Sequence, residues 1–517
     1  MLKRNIMCLL VVLLVVSFSS AASGQEEFMW GVETHFRRLW WGNEFGVPGK
    51  DTEGSYQTLM SLVDELGVTM VRDGNRFVDL MPTSGILSQY SMGYMVNLLD
   101  DLKERNIVLD WVMIEADKWA QDLSGGHKPD GSCPPEVEAW CDFLGKLTQE
   151  SKQYDIIQEL WNEPDREKFF SGTTGEYLTL LEEGSSSIKS VLPSRKVINA
   201  GLTIDNPNKE FYDKFKVFLD NGTIDMVAIH SHGTIDVLNN NYKNNVAPHG
   251  IPGRYFFLNE SGKLTETSSS EQAKDVAGKG IWAMAQEFRG YSAYYIGGLH
   301  IAPDINFDLD EDGFDKDGES PQEFYYMVDE NLVRRKSFEA YKTVIQRLKG
   351  AEIDRKIHEG DGRYEYIFRR SEEKIYVAIG GASDPATIDS YFGAYDEVYD
   401  MLGQKNGPED SILYFVKKIS IPVPTYSVKL VSDGIGATGG GEYQQGETVN
   451  IYAGTPPEGK QFKNWTADRP VTFANVNNAD TTFTMPSYPV VVTAHFEDIN
   501  DPGPVEPVPT YSVRLDS

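Results

Sequence analysis

Eight short apolar runs, each followed by a stretch of helical periodicity, constrain this chain more than any other feature. The runs are Met29–His35, Val68–Asp73, Ile107–Ile114, Ile156–Glu163, Val197–Leu202, Met226–His230, Tyr255–Glu260 and Ala293–Gly298. Between the first two, Tyr56, Leu59, Val63 and Leu66 form a helical stripe that stops at Gly67. Ala273, Val276, Ile281, Ala285 and Phe288 make a similar stripe before the last run. Repeated strand–helix units of this kind predict a parallel (β/α)₈ TIM barrel, whose strand ends converge at one mouth. The competing doubly wound sheet would want a Gly-rich phosphate turn after the first strand, and none follows it.

Beyond the helical stretch 337–348 the pattern changes. Tyr364–Phe368, Ile375–Ile379, Glu397–Met401 and Ile412–Val416 read as short strands without intervening helices, a small β-sandwich-like domain. Further on, Pro422-Val-Pro-Thr-Tyr-Ser-Val-Lys-Leu430 recurs as Pro507-Val-Pro-Thr-Tyr-Ser-Val-Arg-Leu515, so the tail is read as repetitive. The expected organisation is a leader at 1–24, a barrel at 25–350, a β-rich domain at 351–422 and an all-β module at 423–498. A Pro-rich linker at 499–509 and the opening of a truncated second repeat at 510–517 complete it.

Lys3 and Arg4, the apolar run 6–16 and the small residues Ser19–Ser23 make the leader a secretory signal, too short to span a bilayer. The expected location is therefore secreted or cell-surface, as in bacterial export. Export would permit a bridge between Cys133 and Cys141, but Cys141 falls within a helical stripe, so two unpaired thiols are expected. The net charge of −30 argues against nucleic acid and anionic membrane as partners. No later segment suits membrane insertion.

Chemistry concentrates in two strings. Glu159-Leu-Trp-Asn-Glu163-Pro164 and Phe256-Phe-Leu-Asn-Glu260-Ser-Gly262 each end an apolar run on a carboxylate, at the fourth and seventh strands. Two carboxylates meeting at a barrel mouth suit glycosidic cleavage, one as proton donor and one as nucleophile. Asn162-Glu163-Pro164 together with Glu260, Arg72 and His230 resembles the clan A glycoside hydrolases, closest in flavour to families 5 and 39. The resemblance covers about residues 28–348.

That resemblance implies a retaining hydrolase of β-linked polysaccharide or oligosaccharide, with Glu163 as acid/base and Glu260 as nucleophile. It further implies a raised pKa at Glu163, a cation (Arg72) beside Glu260, Asn162 on the sugar 2-hydroxyl, and His230 near the nucleophile. His232 stands where many relatives carry tyrosine. Glu33, Trp119 and Tyr295 are further candidates for sugar contact, as are Trp40 and Trp41 in the loop after the first strand. The tryptophan that many relatives carry on the eighth strand is missing, with Tyr294, Tyr295 or Trp282 as replacements. Glu159 should face the barrel interior, where Arg72 is its expected partner. Two alternatives stay open: a glycan-binding surface adhesin without catalysis, and an α-L-glycosidase using the same two residues.

No organic cofactor is called for. Asp308, Asp310, Asp312 and Glu319 fit the calcium-loop string D-x-D-x-D-G-x₅-E, a candidate structural Ca²⁺ site, although Asp315 sits where an apolar residue is usual. The module containing Tyr426–Leu430, Gly446–Val449, Phe462–Trp465 and Val490–Phe496 resembles the divergent internalin-type B repeat. It implies cell-surface or cell-wall association. Carbohydrate is the expected partner.

Overall fold

The computed structural model describes residues 27–499, except 35, 37–51, 125, 128, 263–268, 295, 297–326, 329–332, 383–384, 408–410 and 420–423. The proposed leader, Trp40, Trp41, Tyr295, the acidic loop Asp308–Glu319, residues 500–509 of the linker and the second repeat start all lie outside the described residues. The chain divides into two compact units, Met1–Ile419 and Ser420–Ser517.

The first unit is built on parallel strands β1 Met29–Glu33, β2 Met70–Arg76, β3 Val108–Ile114, β4 Ile156–Leu160, β5 Lys196–Asn199, β6 Leu202–Thr203, β7 Val227–His230, β8 Phe256–Ser261 and β9 Gly290–Ala293. Their order is β5-β4-β3-β2-β1-β9-β8-β7-β6. Only Ala200 and Gly201 separate β5 from β6, so the two are halves of one barrel strand. A parallel bridge from Ile198 to Met226 and the pairing of β6 with β7 close the sheet on itself.

Helices α1 Thr52–Leu66, α2 Gln89–Glu104, α3 Val137–Glu150, α4 Thr174–Val191, α5 Lys209–Asp220, α6 Ile235–Asn241, α7 Ser269–Ala285 and α8 Lys336–Leu348 follow the eight barrel strands in turn. Local sequence sets their ends. Gly67, at φ 73°, stops α1, and Thr173 with Glu176 forms a reciprocal capping box that starts α4. The thiols of Cys133 and Cys141 are unpaired, with Cys141 inside α3 as expected.

The eighth barrel strand sits earlier than its apolar run suggested. Register with β1 pairs Met29 with Gly290 and Val32 with Ala293. The chain then leaves the sheet at Tyr294, whose backbone N–H donates to Ser261. Gly290 fits because a side chain there would strike the Met29 carbonyl, so close approach rather than hydrophobicity chose the strand's start.

Side chains inside the barrel follow the two-residue period of strands. Met70, Ile157, Ile198, Met226 and Phe257 form an apolar floor, with Val108 packed against it. Two residues further along, the same strands present Arg72, Asp110, Glu159 and Asn259. One step of the pleat thus turns an apolar floor into a polar layer.

An antiparallel sheet follows, in the order β10-β11-β12-β14-β13, from β10 Glu352–Gly360, β11 Arg363–Arg370, β12 Glu373–Ile379, β13 Glu397–Tyr399 and β14 Ile412–Lys418. Tyr364, Tyr366, Phe368, Val377 and Ile379 join the barrel's own core, and Asp236 of α6 accepts from Tyr364 Oη at 2.6 Å. Ile388 and Phe392, from and just after the short helix Pro385–Tyr391, cover the opposite face beside Tyr376 and Phe415. That helix interrupts what the sequence suggested to be strands alone, because Pro385 starts a turn and the Ile388/Phe392 spacing is helical.

The second unit contains β15 Thr425–Val431, β16 Gly441–Gln444, β17 Thr448–Tyr452, β18 Lys460–Ala467, β19 Asp480–Thr484 and β20 Val490–Asp498. β15 pairs antiparallel with β16 and parallel with β20, while β17 and β19 form a separate ladder. Val428, Val449, Ile451, Trp465, Phe483 and Val492 fill the core between them. The strings singled out in the sequence are thus its strands and their inward residues.

Gly184 lets α4 approach α3. A Cβ there would lie 2.8 Å from Leu144 Cδ1 and 2.9 Å from Trp140 Nε1. The helix-propensity gain of replacing glycine is at most about 1 kcal/mol, against overpacking of about 1–3 kcal/mol. Gly184→Val is expected to destabilise the first unit by about 2 kcal/mol, read from urea unfolding followed by tryptophan fluorescence.

Candidate active site

Two backbone irregularities at the barrel mouth place the carboxyls of Glu163 and Glu260. In β8 the register to β7 slips by one residue, from Ile229 opposite Leu258 to His230 opposite Glu260. Successive strand residues ordinarily face opposite sides, and this bulge turns both Asn259 and Glu260 inward. After β4 the chain adopts left-handed backbone at Trp161 (φ 86°) and Glu163 (φ 39°). Non-glycine residues in that region cost about 1–3 kcal/mol each, so surrounding bonds must hold them. Trp161 donates through its backbone N–H to Met113 and through Nε1 to the Phe169 carbonyl. Asp165 accepts from Thr203 Oγ1 and Asn208 Nδ2.

Arg72 forms the centre. Its Nε and Nη2 make a two-pronged contact with Glu159 at 2.8 and 3.2 Å. Nη1 donates to Glu260 Oε2 at 2.7 Å and to Glu33 Oε2 at 3.2 Å, and Nη2 also reaches Asn162 Oδ1 at 3.1 Å. Asn259 Nδ2 bridges Glu159 and Asp110 beneath it. The interior position and the Arg72 partnership expected for Glu159 are both present.

The two mouth carboxyls share His230. Its Nδ1 lies 2.9 Å from Glu163 Oε1 and 3.6 Å from Glu260 Oε2. The other oxygen of Glu260 meets His232 Nε2 at 3.1 Å, and the His232 ring stands edge-on to Tyr294 at 5.5 Å. One oxygen of Glu163, one of Glu260 and a ring nitrogen of His232 all lie within 4.8 Å of one another. A trio so spaced could grip a cation, but Arg72 and His230 already bring positive charge to the same carboxylates.

Electrostatics separates these groups. Burial alone would push Glu260 up, but the charges of His230 and Arg72 and the bond from His232 hold it well below the usual carboxylate range. Burial would likewise lower His230. The Glu260 charge and the bond to Glu163 win, raising it to about 9. Glu33 and Asp110 go the other way, both pushed well up by burial, with Arg72 only partly offsetting it.

Of the sequence candidates, Glu163, Glu260, Asn162, Arg72, His230, His232 and Glu33 come together in this cluster. Trp119 instead packs edge-on against Phe77 and donates to the Met81 carbonyl. Trp282 is buried in α7 and donates to Asn239, so it does not replace the missing strand-eight tryptophan. Tyr294, beside His232, is an aromatic residue brought to the cluster. Asp110 and Asn259 were not anticipated. A charged residue inside the otherwise apolar run Val108–Ile114 was the available signal for the first.

Residues 426–500 match the family model of the divergent InlB B-repeat domain. A sequence search of curated proteins gives no match. Among solved structures the chain is similar to a family 39 glycoside hydrolase from the gut symbiont Bacteroides cellulosilyticus WH2. The two are 18% identical over 76% of this chain and 79% of that one, with a TM-score of 0.52. It is also similar to a family 39 β-xylosidase from Caulobacter crescentus (17% identity, 68% and 77% coverage, TM-score 0.45). A family 30 endoxylanase from Clostridium papyrosolvens C71 is a further such structure (13% identity, 76% and 97% coverage, TM-score 0.48). The likeness to the Bacteroides enzyme shows a shared fold.

His230 gives a measurable signature. Its folded pKa of about 9 exceeds the ordinary 6.5, so the stability it contributes is complete below about pH 6.5 and is lost as pH rises through 9. A displacement of that size corresponds to something on the order of 3 kcal/mol. Unfolding free energy should fall across that window in the wild type and stay flatter in His230→Asn. Gly201 has no room for a side chain, because a Cβ would collide with His230 Nε2. Gly201→Ala should therefore return the His230 midpoint, followed by histidine-selective NMR, toward 6.5.

Proposed function

We propose that this chain is a retaining O-glycoside hydrolase acting on β-linked polysaccharide or oligosaccharide by double displacement. The observation that carries the reading is the pair Glu163 and Glu260, with oxygens within 4.8 Å across the barrel mouth. Retaining enzymes hold their carboxyls about 5–5.5 Å apart, whereas inverting enzymes leave about 6.5–9.5 Å for a water. The shared fold with a family 39 glycoside hydrolase supports a glycosidase in the broader sense.

Roles follow from the contacts. Glu260, kept ionised by Arg72 and His230, attacks the anomeric carbon while Glu163 passes a proton to the departing glycosidic oxygen. A glycosyl ester forms on Glu260. Glu163, now a base, takes a proton from water as that water attacks the same carbon, and the ester breaks. Asn162, oriented by Arg72, faces the sugar 2-hydroxyl in this scheme. His232 holds the second oxygen of the nucleophile, so the attacking lone pair is aimed. This chemistry needs no organic cofactor. In the same reading the chain is exported, meets carbohydrate outside the cell, and uses its repeat module for surface or cell-wall association.

Reducing-sugar release from β-glucans, mannans and xylans tests the proposal, with proton NMR following the anomer first formed. The expected product keeps the β configuration. Glu260→Gln should abolish turnover and Glu163→Gln should lower it about 10²–10⁴-fold on substrates with poor leaving groups. An inverted product, or a Glu260→Gln protein as active as wild type, would remove the assignment.

A further inference from the structure

Past the end of β7, the chain stays laddered to the end of β8 and the residue after it. Ser231 N–H donates to the Glu260 carbonyl at 3.1 Å, and Gly233 N–H donates to the Gly262 carbonyl at 2.9 Å. Ser261 Oγ adds a bond to the Ser231 carbonyl at 2.5 Å. His232 therefore sits between two pinned backbone neighbours, and Glu260 opens the opposing stretch. The 3.1 Å approach of His232 Nε2 to Glu260 Oε1 depends on this ladder as much as on either side chain.

The last rung has a second hold. Lys279, on α7, donates from Nζ to the same Gly262 carbonyl at 2.8 Å. A carbonyl oxygen has two lone pairs, so the Gly233 amide and the Lys279 ammonium can both bond it. Asp275, one helical turn earlier on α7, accepts from the Ile235 backbone N–H at 2.9 Å. The helix thus grips one side of the ladder at Gly262 and the other side two residues beyond Gly233.

Lys279 is 0% exposed. Lysine is almost never fully buried, because taking an ammonium out of water is costly. An apolar residue would pack α7 against the barrel without that cost. What it could not supply is a donor to a backbone carbonyl at the point where strand gives way to loop.

We infer that Lys279 is a positioning residue: by anchoring the Gly262 carbonyl together with the Gly233 amide, it keeps His232 against the second oxygen of Glu260. The consequence for turnover rests on the hydrolase reading, whereas the placement of His232 does not. Lys279 bonds a backbone atom two residues beyond Glu260, so its influence on the carboxylate travels through His232. A displacement of about 1 Å at a reacting group can cost about 10²-fold in rate, and slack in the last rung is a route to a displacement of that kind.

A double-mutant cycle on the full chain tests that route. Lys279→Met keeps most of the apolar stem and removes the donor, and His232→Asn removes the imidazole. With 4-nitrophenyl β-D-xyloside or β-D-glucoside, Lys279→Met should lower kcat/KM about tenfold in the wild-type background and less than about twofold in the His232→Asn background. Equal losses in both backgrounds would mark a merely structural role and overturn the inference. Histidine-selective NMR reads the placement without turnover. The His232 signals, assigned by their loss in His232→Asn, should move in Lys279→Met. They should stay in place in Trp282→Phe, which gives up a bond between α7 and α6 that involves no ladder residue. Signals unmoved in folded Lys279→Met, or moved as far in Trp282→Phe, decide against Lys279. If the methionine variant does not fold, Lys279→Gln, one atom shorter than lysine and uncharged, should show the same changes in the same direction, and wild-type behaviour there is equally fatal. A wild type that cleaves neither glycoside counts against the hydrolase reading, while the NMR comparison still decides the role of Lys279.

Discussion

One guanidinium organises the mouth of this barrel. Arg72 is 2% exposed and touches Glu33, Glu159, Asn162 and Glu260, residues contributed by or just after β1, β4 and β8. A planar fork of five donors can do this where a lysine could not, because each N–H has a fixed direction. Buried ion pairs are weak contributors to stability, since desolvation cancels much of the attraction. A barrel wanting only stability would fill this layer with apolar residues, as it does two residues below at Met70, Ile157, Ile198 and Phe257. The polar layer is better understood as a device for holding one carboxylate ionised and aimed.

Regular strands could not finish that device alone. Glu159 and Asn259 obey the pleat and meet beneath Arg72. Glu163 and Glu260 depart from it, one through left-handed backbone and one through a bulge. Each departure moves a carboxyl from the scaffold layer to the pocket above. The left-handed backbone falls at Trp161 and Glu163, held by the bonds of Trp161 and Asp165, while the bulge beside Glu260 is braced by the Asn259 bond to Asp110.

Much of this was legible in the sequence because it depends on period and termination. The barrel follows from eight alternating units, and Glu159 with Arg72 follows from counting residues along strands. What stayed hidden depends on tertiary contact. The eighth barrel strand begins at Gly290 because the Met29 backbone comes close, and its polar, small sequence Gly-Tyr-Ser-Ala carries no strand signature. β10 is an edge strand of charged residues, Glu352 to Gly360, whose half-exposed pattern lacks an apolar face. Trp282 has the composition of a sugar platform but the position of a core residue, and only α7's burial distinguishes them. The β8 bulge has no turn residue to announce it.

The second oxygen of Glu260 shows how the same site could be tuned without new architecture. His232 Nε2 donates to Glu260 Oε1 while Arg72 and His230 attend Oε2. A tyrosine in that position would present one neutral donor at any pH below its own ionisation, near 10. An imidazole brings two ring nitrogens in place of one hydroxyl, and the His232 side chain is 34% exposed. His232 therefore reaches Glu260 from the side on which that carboxylate opens onto the mouth, with Tyr294 edge-on to its ring.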